Sequence, residues 1–333
     1  MIVLFYSVHL NIVRGAKMIS KTLAANYQED AKLYVVTPII NPQRYQSRYK
    51  LYKNFEKMIN DSGAVLYTIE AAFGNRPFEV TTSDNPQNIQ VRTTSELWHK
   101  ENMINVAVQR LPSNWEYVAW IDADVAFVRP DWVEETIHQL QHHPVVQMFS
   151  TAVDLSPKHE MIKAHKGFVY SYLNRVHQKC DKYDHWHPGF AWAATKYAFN
   201  SFGGLIEEAI LGSGDRHMAF GLVDKIEMTI NKKFTQAYKR VLKKWETLAV
   251  EHIKKNIGCV EGTLLHYWHG KKKDRGYSWR SNVLVKNNYD PDTDIKKDWQ
   301  GIYALTGNKI KFRDELIQYF KSRNEDSIDE EIG

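Results

Sequence analysis

Cysteine is almost missing from this chain: 333 residues carry two, Cys180 and Cys259, and no CxxC pair. That excludes a disulfide-stapled scaffold and a thiolate zinc module, and it fits a reducing, cytoplasmic interior. Long apolar runs are missing as well. The opening stretch MIVLFYSVHLNIV falls short of the roughly 20 residues that cross a bilayer. It also lacks the basic start of a signal peptide. No membrane association is therefore expected, and residues 1–30 read as an N-terminal extension or strand, with Met18 a more ordinary start. Internal repeats and low-complexity linkers are absent, which argues for one domain with an elaborated second half.

Net charge is low too, at +5, but it is unevenly placed: Lys225 to Arg280 holds fourteen Lys/Arg against five Asp/Glu. Such a surplus suits a phosphate-bearing partner, although a solvated helix face explains any single lysine equally well. The end of the chain, NEDSIDEE, reads as a frayed acidic tail over 321–333.

What the chain has in quantity is apolar and aromatic surface: 43% hydrophobic residues, with 18 Tyr, 14 Phe and 10 Trp. A sizeable core is available. Residues 31–150 alternate short apolar runs with helical spacing. KLYVVTPII, AVLYTIEAAF, EYVAWIDAD and PVVQMFS read as strands; RYQSRYKLYKNFEKMINDSG, ELWHKENMINVAVQRLP and DWVEETIHQLQHH read as helices. This alternation predicts an α/β fold with a mainly parallel sheet flanked by helices. Residues 151–320 are less regular. GGLIEEAILGSGDRHMAFGL predicts two short helices, and Lys232–Val250 an amphipathic helix with Phe234, Tyr238, Val241, Trp245 and Leu248 on one face. GTLLHYWHGKKKDRGYSWR reads as a strand running into a basic, aromatic loop.

The stretch WIDADVAFVRP places Asp122 and Asp124 at the end of an apolar strand. Charges are costly there unless paired or bound to a cation, and in parallel sheets that end of the strand is where ligands sit. Two such carboxylates suit Mg²⁺ or Mn²⁺, hard cations that also bridge to phosphates. A chance DxD at a polar turn is the plain alternative. Late in the chain, LLHYWHGKKK offers His266, His269, Gly270, Lys271 and Lys273. A strand-end histidine suits Mn²⁺ better than Mg²⁺ as a third ligand, and the lysines suit a diphosphate.

Together the DxD, HPGFAWA, the GGL…ILGSGDRHMA segment and HYWHGKKKDRGYSWR resemble nucleotide-sugar glycosyltransferases of the GT-A fold, over roughly Lys32 to Gly301. Within these the chain is similar to phage and bacterial enzymes akin to the glucosyltransferases that decorate hydroxymethylated pyrimidines in DNA, the base J enzyme included. The resemblance implies a nucleotide-sugar-binding half over 31–150 and an acceptor-side half over 151–320. It implies Asp124 as main metal ligand, Asp122 reaching the ribose or the metal through water, and His266 completing coordination ahead of His269. His269, Gly270, Lys271 and Lys273 would face the phosphates, and Thr37, Pro38, Lys100, Asn102 and Asn105 the nucleotide. Gly189 would let the backbone approach the donor sugar. Asp215 would be the base of an inverting transfer, with an N-cap as its plain role and Glu207, Glu208 and Asp184 as fallbacks. Trp192, Arg275 and Tyr277 would meet the acceptor. The expected partners are a UDP-sugar and DNA carrying hydroxymethylated pyrimidine. Competing readings are the same transfer to a glycan or small molecule, a metal-dependent nuclease or nucleotidyltransferase, and a binding module that has lost catalysis.

Overall fold

Near-continuous apolar strands such as LYVVTPII need cover on both faces, and the fold supplies it. The structure is a computed structural model describing residues 31–176 and 186–328. Residues 1–30, Cys180 and Asp184 lie outside the described residues, and the fold below belongs to the unit Leu33–Gly333. The chain runs β1 (Leu33–Ile40), α1 (Gln46–Asp61), β2 (Val65–Phe73), β3 (Asn88–Thr93), α2 (Lys100–Val108) and β4 (Tyr117–Ile121). It continues through β5 (Val125–Phe127), α3 (Trp132–His142), β6 (Val145–Gln147), β7 (Thr151–Leu155), β8 (Met161–Lys166) and α4 (Phe168–Leu173). Then come β9 (Ala191–Thr195), α5 (Lys196–Ser201), α6 (Gly214–Leu222), α7 (Gln236–Ile253), β10 (Ile257–Cys259), β11 (Thr263–His266) and α8 (Ser281–Lys286). A hairpin of β12 (Ile295–Lys297) and β13 (Tyr303–Leu305) precedes α9 (Ile310–Ser322).

Seven strands form the central sheet in the order β10-β6-β9-β4-β1-β2-β3. Every pairing in it is parallel except those of β9, which runs antiparallel between β4 and β6. The expected mainly parallel α/β sheet is thus what forms. Its two faces carry separate apolar clusters, one around Val36, Ile69, Ile104 and Trp120, the other around Val35, Phe55, Ile121 and Phe149. Helix α1 covers the second with Phe55 and Ile59. A second sheet, β5-β11-β7-β8, takes over where β4 ends. Among the described residues no helix is long and apolar enough to cross a membrane.

Three sequence expectations change. Residues 203–213 run as turns, and only α6 is helical, because Asn105 captures this segment: its side chain takes Leu205 N (2.8 Å) and gives to Leu205 O (3.0 Å). The buried stripe of α7 is Tyr238, Leu242, Trp245, Ala249 and Ile253, so Val241 and Leu248 lie at its edge. The tail is not frayed where it is described. Glu325 is 1% exposed and paired with Arg48 and Arg323, and Asp326 accepts the Gln46 and Ser47 amides at the start of α1. An acid placed at a helix N-terminus is held by its unpaired N–H groups and dipole.

Candidate functional site

The end of β4 is tied on three sides. Thr37 Oγ1 donates to Ile121 O (2.8 Å), the Asp122 amide to Phe190 O (2.9 Å), and the Tyr267 amide to Asp124 O (2.8 Å). The chain then leaves the central sheet as β5, which pairs antiparallel with β11 so that Val125 lies opposite His266. On its other side β11 pairs parallel with β7, which sets His266 level with Asp154. Three adjacent strands therefore present Asp124, His266 and Asp154 side by side. Phe190, held at φ +77, stacks its ring between His187 (centroids 4.0 Å apart) and His266 (4.5 Å).

Asp124, His266 and His269 each turn one ligand atom to a common point, all within 4.8 Å of one another. His269 Nε2 is 2.9 Å from Asp124 Oδ2 and 3.2 Å from His266 Nε2. His266 Nδ1 meets Asp154 Oδ1 at 2.8 Å, the arrangement in which a carboxylate orients a ligating imidazole and leaves Nε2 for a metal. Asp154, 4% exposed, also binds His165 Nε2 (2.6 Å) and Lys272. Burial acts to raise its carboxyl, but the bonds from His165 and His266 hold it far below the usual range. Asp124 behaves alike: against burial, His269 and then His266 and Arg275 hold it ionised. Burial, helped by Arg275, brings His269 down to about 4, so its ring is neutral near pH 7 and able to ligate. Asp124 Oδ1, His269 Nδ1 and Arg275 Nε are buried without a hydrogen-bond partner. Unpaired buried polar atoms are costly; a bound cation with its anionic ligand would satisfy Asp124 Oδ1 and Arg275 Nε, while His269 Nδ1 faces Glu325 Oε2 at 3.9 Å. One carboxylate and two imidazoles fit a divalent transition metal.

Asp122 stands outside that trio and pairs with Lys100 at the start of α2. Burial raises the Asp122 carboxyl against the pull of Lys100, and the Asp124 charge adds to the rise. Burial acts to lower Lys100, yet Asp122, Asp215 and Glu101 outweigh it and keep the ammonium charged. Asp215 opens α6 with Oδ1 accepting the Arg216 amide (2.7 Å). A Cβ on Gly189 would lie 2.7 Å from Asp215 Oδ2, so glycine there admits the carboxylate. Lys100, Glu101, Asp215, Trp120 and Trp192 share a cavity of about 10 Å³.

Several residues expected to meet substrate are committed elsewhere. Asn102 and Asn105 are buried and hold the backbone of Leu205, Gly301 and Tyr303 and the Glu207 carboxylate. Both side-chain amides, expected at the nucleotide, have their donors and acceptors engaged within the fold. Glu207 also pairs with Lys297, and Glu208 faces Tyr303, so neither stands by the site. Asp184 lies outside the described residues. Trp192 is a core residue, cross-strand partner of Trp120, with its indole N–H on Pro188 O (2.8 Å). Arg275 is buried on the metal side, not on an acceptor face. Tyr277 is exposed (57%). Pro38 is half-buried at the end of β1, Lys271 is half-buried and Lys273 exposed. Gly270 follows His269 and abuts the Asn324–Glu325 backbone. His269, expected at the phosphates, joins Asp124 and His266 instead. Reading the sequence missed Asp154, Glu101, Arg48 and Glu325. Of these only Asp154, the one acid in the apolar-flanked strand TAVDL, leaves a local signal.

No family model and no curated protein matches the chain. Among solved structures it is similar to a Drosophila β-1,4-galactosyltransferase 7 mutant bound to manganese, UDP-Gal and xylobiose (11% identity, TM-score 0.33, 59% of this chain). The match spans 62% of the galactosyltransferase, a little under two thirds of its length. It is also similar to a Desulfovibrio desulfuricans protein assigned as a nucleotide-diphospho-sugar transferase (8%, TM-score 0.31, 78% of this chain and 98% of that one). A third is a 4-diphosphocytidyl-2C-methyl-D-erythritol synthase from Anaerococcus prevotii (9%, TM-score 0.30, 70% and 89%). Likeness this distant decides nothing about chemistry, which has to come from the residues themselves.

Proposed function

We propose that the chain is a metal-dependent glycosyltransferase that moves a sugar from a UDP-sugar to an acceptor hydroxyl with inversion. The observation that carries this reading is the convergence of Asp124, His266 and His269 at the carboxyl end of a parallel sheet, with half-buried Lys100 and buried Arg275 beside it. Open α/β sheets bind ligands at that end, and two fixed cations there match a diphosphate. The same two-imidazole, one-carboxylate set serves iron(II) oxygenases; the flanking cations favour a phosphate-bearing ligand. The imidazoles favour Mn²⁺ over Mg²⁺. A divalent ion at this point supplies positive charge against which a diphosphate can depart.

The chain's own groups do the rest. Lys100 and Arg275, with Lys271 and Lys273 on the following loop, oppose the charge that grows on the leaving oxygen. Pro38, half-buried near the end of β1, borders the nucleotide, while Thr37 is fully buried and acts from behind by fixing Ile121 O. The Asp215 carboxylate takes the proton of the acceptor hydroxyl as its oxygen bonds to the anomeric carbon and the bond from that carbon to the diphosphate breaks. Gly189 leaves room for that carboxylate.

For the acceptor, the hydroxymethyl group of a modified pyrimidine in DNA is the proposed substrate. Lys232, Lys233, Lys243 and Lys244 are exposed along α7 and its approach, and Tyr277 and Trp279 are exposed in the basic loop after β11. Charge with accessible aromatic faces suits a nucleic-acid strand. Trp245 is core and takes no part. The experiment is incubation with Mn²⁺, a panel of UDP-sugars and hydroxymethylated DNA, following UDP release and the mass of the DNA. No UDP release with any donor refutes the transfer reading, and DNA cleavage or nucleotide transfer in its place supports the nuclease or nucleotidyltransferase. UDP release without a mass change in DNA, or DNA binding insensitive to salt, moves the acceptor to a glycan or small molecule.

A further inference from the structure

An acid with one unpartnered oxygen lines the cavity between Lys100 and Asp215. Glu101, in the first turn of α2, is 3% exposed, and its neighbours on the helix are all core. Burial drives its carboxyl up to about 8 even beside Lys100. Its Oε1 presses on α6, where a Cβ on Gly214 would lie 2.5 Å away. Its Oε2 is buried and meets no hydrogen-bond partner. Of the other polar groups of the shared cavity, Lys100 pairs with Asp122 and Asp215 Oδ1 accepts the Arg216 amide, while Asp215 Oδ2 faces Gly189. Trp120 and Trp192 wall the cavity, whose 10 Å³ or so admits a single water or hydroxyl and no more. Apolar walls with a few open polar valences are the pattern of a ligand subsite. Lys100 joins this hole directly to Asp122 and hence to the diphosphate side.

We infer that Glu101 is the specificity-determining residue of the donor sugar, its free oxygen taking one sugar hydroxyl in the cavity between Lys100 and Asp215. The inference rests on the nucleotide-sugar reading above. A hydroxyl of one configuration reaches the hole, while its epimer leaves Glu101 unpaired against an apolar wall. A site built to hydrogen-bond a hydroxyl discriminates strongly against ligands that cannot supply it.

The test is calorimetric titration of the full chain, at fixed Mn²⁺, with UDP, UDP-glucose, UDP-galactose, UDP-xylose and UDP-N-acetylglucosamine, for wild type, E101Q and E101L. UDP alone is expected to bind all three within about twofold, because Glu101 touches neither metal ligand nor diphosphate. The affinity ratio between the best and worst UDP-sugar is expected to fall about tenfold or more in E101L. E101Q, which keeps a donor and an acceptor in the same volume, is expected to fall in between and decides the matter if E101L unfolds. Variants that keep the wild-type ratio, or a wild type that binds UDP without discriminating sugars, overturn the assignment while sparing the nucleotide-sugar reading. A wild type that does not bind UDP overturns both. A merely structural glutamate would lower stability and leave the ratio unmoved.

Discussion

Replacing Asp154 by asparagine perturbs the site without touching a ligand. In the wild type one carboxylate oxygen holds His266 Nδ1 at 2.8 Å and the other holds His165 Nε2 at 2.6 Å together with Lys272. An amide of equal volume serves only one side with an oxygen and turns an NH₂ toward the other. If the NH₂ faces His266, the ring shifts its proton to Nε2, the atom aimed at the metal. If it faces His165, the NH₂ is also turned on Lys272, which loses its counter-charge in either orientation. Partners of ligating histidines are typically worth 10- to 100-fold in metal affinity, which is about 1.4–2.7 kcal/mol. The expected result is therefore a Mn²⁺ affinity weaker by about that factor in D154N. Unfolding in EDTA is expected to show a separate loss of about 1–3 kcal/mol from unsatisfied buried groups. Calorimetry of Mn²⁺ binding and urea denaturation of the metal-free chain read the two effects independently. A D154N affinity within twofold of wild type would refute the orienting role, whatever happens to stability.

Three more outcomes are expected. Mn²⁺ at 100 times its dissociation constant stabilises a one-site protein by about 2.7 kcal/mol; EDTA should reverse the rise in thermal midpoint and Asp124→Ala should erase it, and a full shift in the alanine variant counts against the site. Glu101 is raised to about 8 in the fold from about 4.3 unfolded, so between those values the native state binds the extra proton and stability declines as pH rises. Denaturant midpoints at pH 6 and pH 9 should differ less in E101Q than in wild type, and equal differences would contradict the burial. Finally, a Cβ at Gly214 would lie 2.5 Å from Glu101 Oε1 and 2.7 Å from its Cδ. Gly214→Ala should cost about 1–3 kcal/mol, much of it relieved in an E101A background. A double-mutant cycle additive to within about 0.5 kcal/mol would show the two do not touch.

Local pattern and tertiary pairing divide this protein unevenly. LYVVTPII, VLYTIEAAF and YVAWI form β1, β2 and the body of β4 because unbroken apolar runs can only be buried strands or helices, and their length and β-branching favour strands. β3 escapes notice: as an edge strand it buries Ile89, Val91 and Thr93 within a largely polar NIQVRT. β9 escapes because AWAAT is mostly alanine, a poor strand former chosen here for close packing at the sheet centre. The acidic end NEDSIDEE has a disordered composition, yet Glu325 is locked between Arg48 and Arg323, residues whose approach no local pattern announces.

By itself the sequence determined the strand-helix alternation, the carboxylates ending β4 and the strand-end histidine, since apolar period and strand polarity are local properties. Tertiary structure alone decided that His269 joins His266 and Asp124, that Asp122 turns away to Lys100, and that Asp154 and Glu101 stand behind the site. The reason is the pairing of β11 between β5 and β7 and the packing of α2 under α6. Those contacts join segments far apart in the chain, and a buried polar group declares its purpose only when the atoms around it are known.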